Sequence, residues 1–329
     1  MSMSKTIEPV HGGPDARGAV PHDFSTNSNA CGPCPEALLA VQRADASRYP
    51  DPLYAALRER LARFHGVEAG RIVIAASASE FIGRITAAVA RRGGRCVRVP
   101  AYCYGDYLRA ASAWGLEAVK ADRADLVWYC DPSSPLGQPC TELAEVVEMP
   151  TCNAVRVLDL AYEPLRLEGA LSLTAERLDA VWQLWTPNKA FGLTGIRAAY
   201  AIAPVVADEM VLDMNRLAPS WPLGSHGIAL LECWTRDTAQ HWLNESRTTL
   251  RMWKSAQIAL CESLGWHCLP SVANYFCAQP NVPYSMDRIE ALRALGIKLR
   301  DTASFGLPGH VRLGVLPPAS QEALRRAWC

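Results

Sequence analysis

Val181-Trp-Gln-Leu-Trp-Thr-Pro-Asn-Lys189-Ala-Phe-Gly-Leu-Thr-Gly-Ile-Arg197-Ala-Ala-Tyr200 is the stretch from which the fold is read. The apolar run over 181–185 has the composition of a buried strand, Thr186-Pro-Asn makes a turn, and a second apolar strand starts at Ala198. Lys189 is thereby presented at a strand edge, with the Thr186 hydroxyl before it and the Arg197 guanidinium after it. An amine so placed can form a Schiff base with an aldehyde, while the hydroxyl and the guanidinium clamp an anion on the same molecule. The bland alternative is a surface lysine in a loop between two strands.

Working outward, short apolar runs alternate with helical patterns at 71–75, 95–99, 126–130, 154–158, 181–185 and 198–202. That alternation predicts a mostly parallel sheet covered on both faces, with ligands bound beyond the carboxyl ends of its strands. The residues just past those ends are Ser77-Ala-Ser-Glu80, Pro100-Ala-Tyr102, Asp131 to Gly137, Asp159-Leu-Ala-Tyr162 and Thr186 to Lys189. Five strand ends therefore converge on one site. A carboxylate at Asp159 can pair with a protonated ring nitrogen, and Tyr162 can hydrogen-bond a ring oxygen. Ala78 and Ser79, at the start of a helical pattern, offer backbone N–H groups and a hydroxyl to a phosphate. The flat ring of Tyr102 suits stacking on an aromatic cofactor, with Tyr104 and Tyr107 as nearby alternatives.

The chain has 329 residues, half of them hydrophobic, and a formal net charge of zero. That length supports a large core, and the charge balance gives no basic surface for nucleic acid. No apolar run approaches the roughly 20 residues of a membrane span, and the opening residues lack a signal-peptide core, so the expectation is a cytoplasmic protein. The twelve cysteines are scattered through apolar segments and read as free thiols. Cys31-Gly-Pro-Cys34 has no companion cluster at metal-ligand spacing, so no metal is expected. Residues 1–35 read as an irregular arm joining the small domain, 36–205 as a large domain, and 206–329 as a smaller α+β domain with long helices near 206–217 and 224–260.

Several motifs together resemble fold-type I aminotransferases of class I/II. Thr186-x-x-Lys189-x-x-Gly-x-x-Gly-x-Arg197 resembles that family's lysine motif, with threonine where serine is usual. Asp159-x-x-Tyr162 resembles its Asp-x-x-Tyr, and Pro100-Ala-Tyr102 its Pro-Thr-aromatic motif. Asp131-Pro-Ser-Ser-Pro-Leu-Gly137 resembles Asn-Pro-x-Asn-Pro-x-Gly, except that Ser134 stands where an asparagine donates to the cofactor ring oxygen. The resemblance implies an α/β fold of the three-layer, aspartate aminotransferase-like kind, and pyridoxal 5'-phosphate as cofactor. It also implies a keto-acid co-substrate beside the amino acid. Arg312 resembles the arginine that forks onto a substrate carboxylate; Arg300, for a second anionic group, and Asn274 are further candidates for substrate binding.

His11-Gly-Gly, Asp23-Phe-Ser-x-Asn-x-Asn and Arg48-Tyr-Pro-Asp-Pro52 resemble the threonine-phosphate decarboxylases and histidinol-phosphate aminotransferases. That subgroup implies a biosynthetic role and a substrate contact by His11. It also implies a homodimer in which Tyr49 reaches the phosphate of the neighbouring subunit's cofactor. The expected activity is amino transfer through Lys189. The alternative is decarboxylation of threonine phosphate, and a remote one is a non-catalytic binding protein of the same fold.

Overall fold

A computed structural model describes residues 11–120, 123–144, 154–171, 173–281 and 286–328. The first ten residues of the expected arm lie outside the described residues. From the rest of the arm comes a two-residue strand, β1 (His22–Asp23). Seven strands form the central sheet: β2 (Ile72–Ala75), β3 (Cys96–Arg98), β4 (Glu117–Ala118), β5 (Leu126–Cys130), β6 (Val155–Asp159), β7 (Trp182–Trp185) and β8 (Ala199–Ile202). Their order is β2-β8-β7-β6-β5-β3-β4, and only β8 runs against its neighbours. The expected mostly parallel sheet is therefore present. β2 and β5 are apolar and buried along their whole length, as strands covered on both faces must be.

Alternate residues feed two cores. Val73, Trp128 and Trp182 pack on one face with Phe81, Ile85 and Tyr107. Ile72, Ile74 and Tyr200 pack on the other with Leu230, Leu231 and Trp234. The helices Asp208–Leu217 and Ser225–Trp234 follow residue 205, yet Met210 and Met214 sit in the first of these cores and Leu230 in the second. The single helix expected over 224–260 is broken into Ser225–Trp234 and Asp237–Ser263. At the break the Thr235 hydroxyl and the Gln240 amide donate to the carbonyls of Glu232 and Trp234, satisfying groups that the helix end leaves free.

The remaining strands are β9 (His267–Cys268), β10 (Tyr275–Gln279), β11 (Ile297–Lys298), β12 (Arg300–Asp301) and β13 (Val311–Gly314). An antiparallel sheet runs β12-β13-β10-β9, and β1 pairs in parallel with β11. Phe24 of the arm is buried in the same core as Trp266, Phe276, Leu313 and Trp328. The arm is thus built into the carboxyl-terminal sheet system by backbone pairing and by apolar burial.

Candidate active site

A cavity of about 430 Å³ opens where the carboxyl ends of β2, β5, β6 and β7 meet the arm and β13. Thr186 ends β7 and precedes one helical turn, Pro187–Ala190, with proline at its first position where a missing N–H costs nothing. This turn aims Lys189 into the cavity. Its Nζ donates to Thr186 Oγ1 at 3.3 Å and lies 5.3 Å from the centre of the Tyr162 ring. Burial pushes the Lys189 amine below its ordinary pKa, the Asp159 charge opposes that shift, and the Arg197 charge adds to it.

Asp159, the last residue of β6, is buried with both carboxylate oxygens engaged. Tyr107 donates its hydroxyl to Oδ2 at 2.7 Å and the Ala161 N–H donates to Oδ1 at 2.9 Å. Burial raises the carboxyl pKa, while those two donors and the Lys189 charge pull it back toward the ionised form. The Tyr107 ring is itself locked by stacking on Trp128, 4.4 Å between centres.

The helix Ala78–Arg91 points its first turn at the cavity, capped by Ser77, whose Oγ accepts the Glu80 N–H. Ser77, not Ser79, is therefore the cap, which leaves the Ser79 hydroxyl free to face the cavity 3.3 Å from the Tyr104 hydroxyl. Ala78 and the exposed Arg197 border the same space. Asn188 donates to the carbonyls of Thr194 and Ile196, and Arg197 also donates to that of Thr194. The loop that presents Arg197 is thereby tied to the lysine turn.

From the other side come Ser134, Arg312, Arg300 and His11. Arg312 is 6 % exposed; it donates to Ser134 Oγ at 3.4 Å and to the Ser25 carbonyl at 3.2 Å. Its Nε is buried and has no partner among the described residues. Arg300 is 5 % exposed and directly opposite Arg312 on the paired strands β12 and β13. Burial, and then the Arg312 charge, press the Arg300 pKa down to about 10. Both guanidiniums lie over the Phe305 ring.

Two residues expected in the cavity, Tyr102 and Asn274, are not brought to it. Tyr102 lies outside it, with its ring against Gly306, and Tyr104 lines the wall instead, tilted toward the His11 ring at 6.0 Å. Asn274 is fully buried and donates to the carbonyls of Asn27 and Ser28, so in this chain it anchors the arm. Tyr49 is 79 % exposed and stacks on Trp221. Asn27 lines the cavity as well, and so does Tyr107, an alternative for stacking that instead holds Asp159. A signal for Tyr107 existed: it stands three residues after Tyr104, one helical turn on.

The donor set suits a phosphorylated pyridine aldehyde. It comprises a buried amine of depressed basicity, a buried carboxylate, a helix start with a hydroxyl facing the cavity, and the guanidinium of Arg197. That combination defines a pyridoxal-phosphate enzyme. The family model for aminotransferase class I and II matches residues 21–328, so the chain belongs to the class I and II aminotransferases, with pyridoxal 5'-phosphate as cofactor. It is 28 % identical to a histidinol-phosphate aminotransferase of Ruegeria pomeroyi, covering 92 % of this chain and 88 % of that protein. The solved histidinol-phosphate aminotransferase of Sinorhizobium meliloti, in complex with pyridoxal-5'-phosphate, superposes with a TM-score of 0.82 at 21 % identity, covering 100 % of this chain and 97 % of that one. The L-threonine-O-3-phosphate decarboxylase of Porphyromonas gingivalis superposes with a TM-score of 0.78 at 20 % identity, covering 92 % and 97 %. Among the described residues no helix is long and apolar enough to cross a membrane.

Proposed function

We propose that the protein transfers the amino group of an amino acid or amino-phosphate that carries two anionic groups. The observation that carries this reading is the pairing of Arg300 with Arg312. Both line the cavity and are buried, and Arg312 Nε has no hydrogen-bond partner among the described residues, so the donor capacity there suits an anion. A substrate with two negative ends matches two guanidiniums facing one cavity. Arg312, forked and half-satisfied by neutral oxygens, suits a carboxylate; Arg300 and His11 suit the second anion.

The cofactor, when bound, supplies an electron sink for the bond broken at the substrate α-carbon. Ser77, Ala78, Ser79, Thr186 and Arg197 would hold its phosphate, Asp159 its ring nitrogen and Tyr162 its ring oxygen. Ser134 is spent on Arg312, which leaves Tyr162 as the hydroxyl for that oxygen. Tyr104 would cover one ring face, in the place expected of Tyr102. Lys189 acts as the base that takes the α-proton and returns it on the cofactor side. Taking the proton needs the neutral amine, a form that burial favours, and returning it needs the ammonium so formed.

A second reading, loss of CO2 in place of the α-proton, draws on the same two arginines, because threonine phosphate is doubly anionic. Relatives named histidinol-phosphate aminotransferase make a singly phosphorylated amine a further candidate. We also propose a homodimer in which the exposed Tyr49 completes the neighbouring site, and a cytoplasmic setting in keeping with the free thiols. The division into a large and a small unit is proposed within Asp237–Ser263, later than 205, because Met210 and Leu230 serve the large-sheet cores. The purified protein, assayed with phosphothreonine, histidinol phosphate and common amino acids, should favour the anionic substrates and form keto acid. CO2 release from phosphothreonine would establish the second reading, and equal rates with neutral amino acids would sink the role given to Arg300.

A further inference from the structure

Residues 11–14 form one wall of the cavity, yet the segment from Pro14 to Ala19 is exposed and buries nothing that could hold it. Charge holds it. The two carboxylate oxygens of Asp15 accept hydrogen bonds from Arg293 and Lys298, both at 2.8 Å. Arg17 donates to Glu290 at 2.6 Å. Lys298 also donates to the Gly13 carbonyl at 2.5 Å. At the tip, the Gly13 N–H donates to Ser25 Oγ at 2.8 Å, and a side chain at Gly12 would collide with the Ser25 carbonyl. The Ser25 carbonyl is also where Arg312 donates, and Lys298 lies two residues before Arg300. The arm wall and the two arginines therefore stand on one framework, with Asp15 as its only carboxylate shared between two cations among the described residues of the arm.

Building on the substrate reading above, we propose that Asp15 is a positioning residue: it latches residues 11–14 in place as the substrate-side wall and so governs how tightly a doubly anionic amino acid is held, without touching it. An isolated exposed ion pair contributes little. Here the Arg293 and Lys298 side chains are only 9 % and 18 % exposed. Removing the carboxylate leaves two largely buried cations facing one another, and the strap between Gly13 and Gly18 loses its anchor. Those contacts hold the Asp15 carboxyl at a pKa of about 2, so the latch keeps its charge at any pH at which the enzyme works.

The test uses the cofactor-loaded full chain and O-phosphothreonine. Asp15→Asn should raise KM about tenfold, keep kcat within about twofold and leave the visible absorption of the bound cofactor unchanged. In protein without substrate, tryptic cleavage after Arg17 should accelerate, and Asp15→Glu should restore both behaviours toward wild type. Unchanged KM, or a kcat that falls along with a raised KM, overturns the proposal, the latter by making Asp15 part of the chemistry or of the fold. If the wild type turns over no doubly anionic amino acid, the substrate reading fails, and the cleavage rate of Asp15→Asn alone then decides whether the latch exists.

Discussion

The carboxyl ends of β6 and β7 and the ladder between β12 and β13 both place buried charge in one cavity, and they balance it in opposite ways. At the first, Lys189 and Asp159 are of opposite sign, and Asp159 has a hydrogen-bond donor on each oxygen. At the second, Arg300 and Arg312 have the same sign and face each other in register; Arg312 donates to neutral oxygens and its Nε has no hydrogen-bond partner among the described residues. The first region is electrostatically closed before any ligand arrives. The second keeps buried donor capacity at Arg312, which the proposed anionic substrate would meet. The reactive end of the cavity is therefore held ready, while the proposed selectivity is drawn from the arginine end.

Lys189→Ala is expected to break the first region most severely. Turnover should fall to background, and the visible absorption of cofactor bound through the lysine should vanish; an unchanged spectrum would remove Lys189 from its role. Asp159→Asn keeps the shape and the Tyr107 contact but removes the charge. A fall in kcat of about 10²–10³-fold with nearly unchanged cofactor affinity is expected, whereas equal losses of both would make Asp159 a structural residue. The smallest and most informative effect separates the two arginines. Arg312→Met should weaken every amino-acid substrate by roughly 1.5–3 kcal/mol, the worth of a hydrogen bond to a charged group. Arg300→Met should weaken only those with a second anion. Equal losses for singly and doubly anionic substrates in Arg300→Met would remove the separate role given to Arg300.

Much of the first region was legible because its information is local. A strand end, a proline that starts one helical turn and a lysine two residues later need only φ/ψ preferences and burial to be placed. Asp159 and Tyr162 follow from the same logic at the end of β6. Tyr102 and Tyr104 illustrate the limit: they stand two residues apart in a loop, either ring could cover a cofactor, and only packing against Gly306 and His11 assigns one outward and the other inward. Asn274 illustrates another, because its amide serves carbonyls at Asn27 and Ser28, far away in sequence.

From the sequence alone came the alternation of strands and helices, the mostly parallel sheet, the lysine turn and the convergence of strand ends, four of the five expected, all set by periodicity and by residues close to one another in the chain. Tertiary structure alone decided that Arg300 faces Arg312, that Tyr107 holds Asp159, that the helices after 205 serve the large-sheet cores, and that Asp15 ties the arm to β11. The physical reason is that strand register and contacts between distant segments depend on how separate hydrophobic faces dock, and a single side chain carries little local record of which distant partner it will meet.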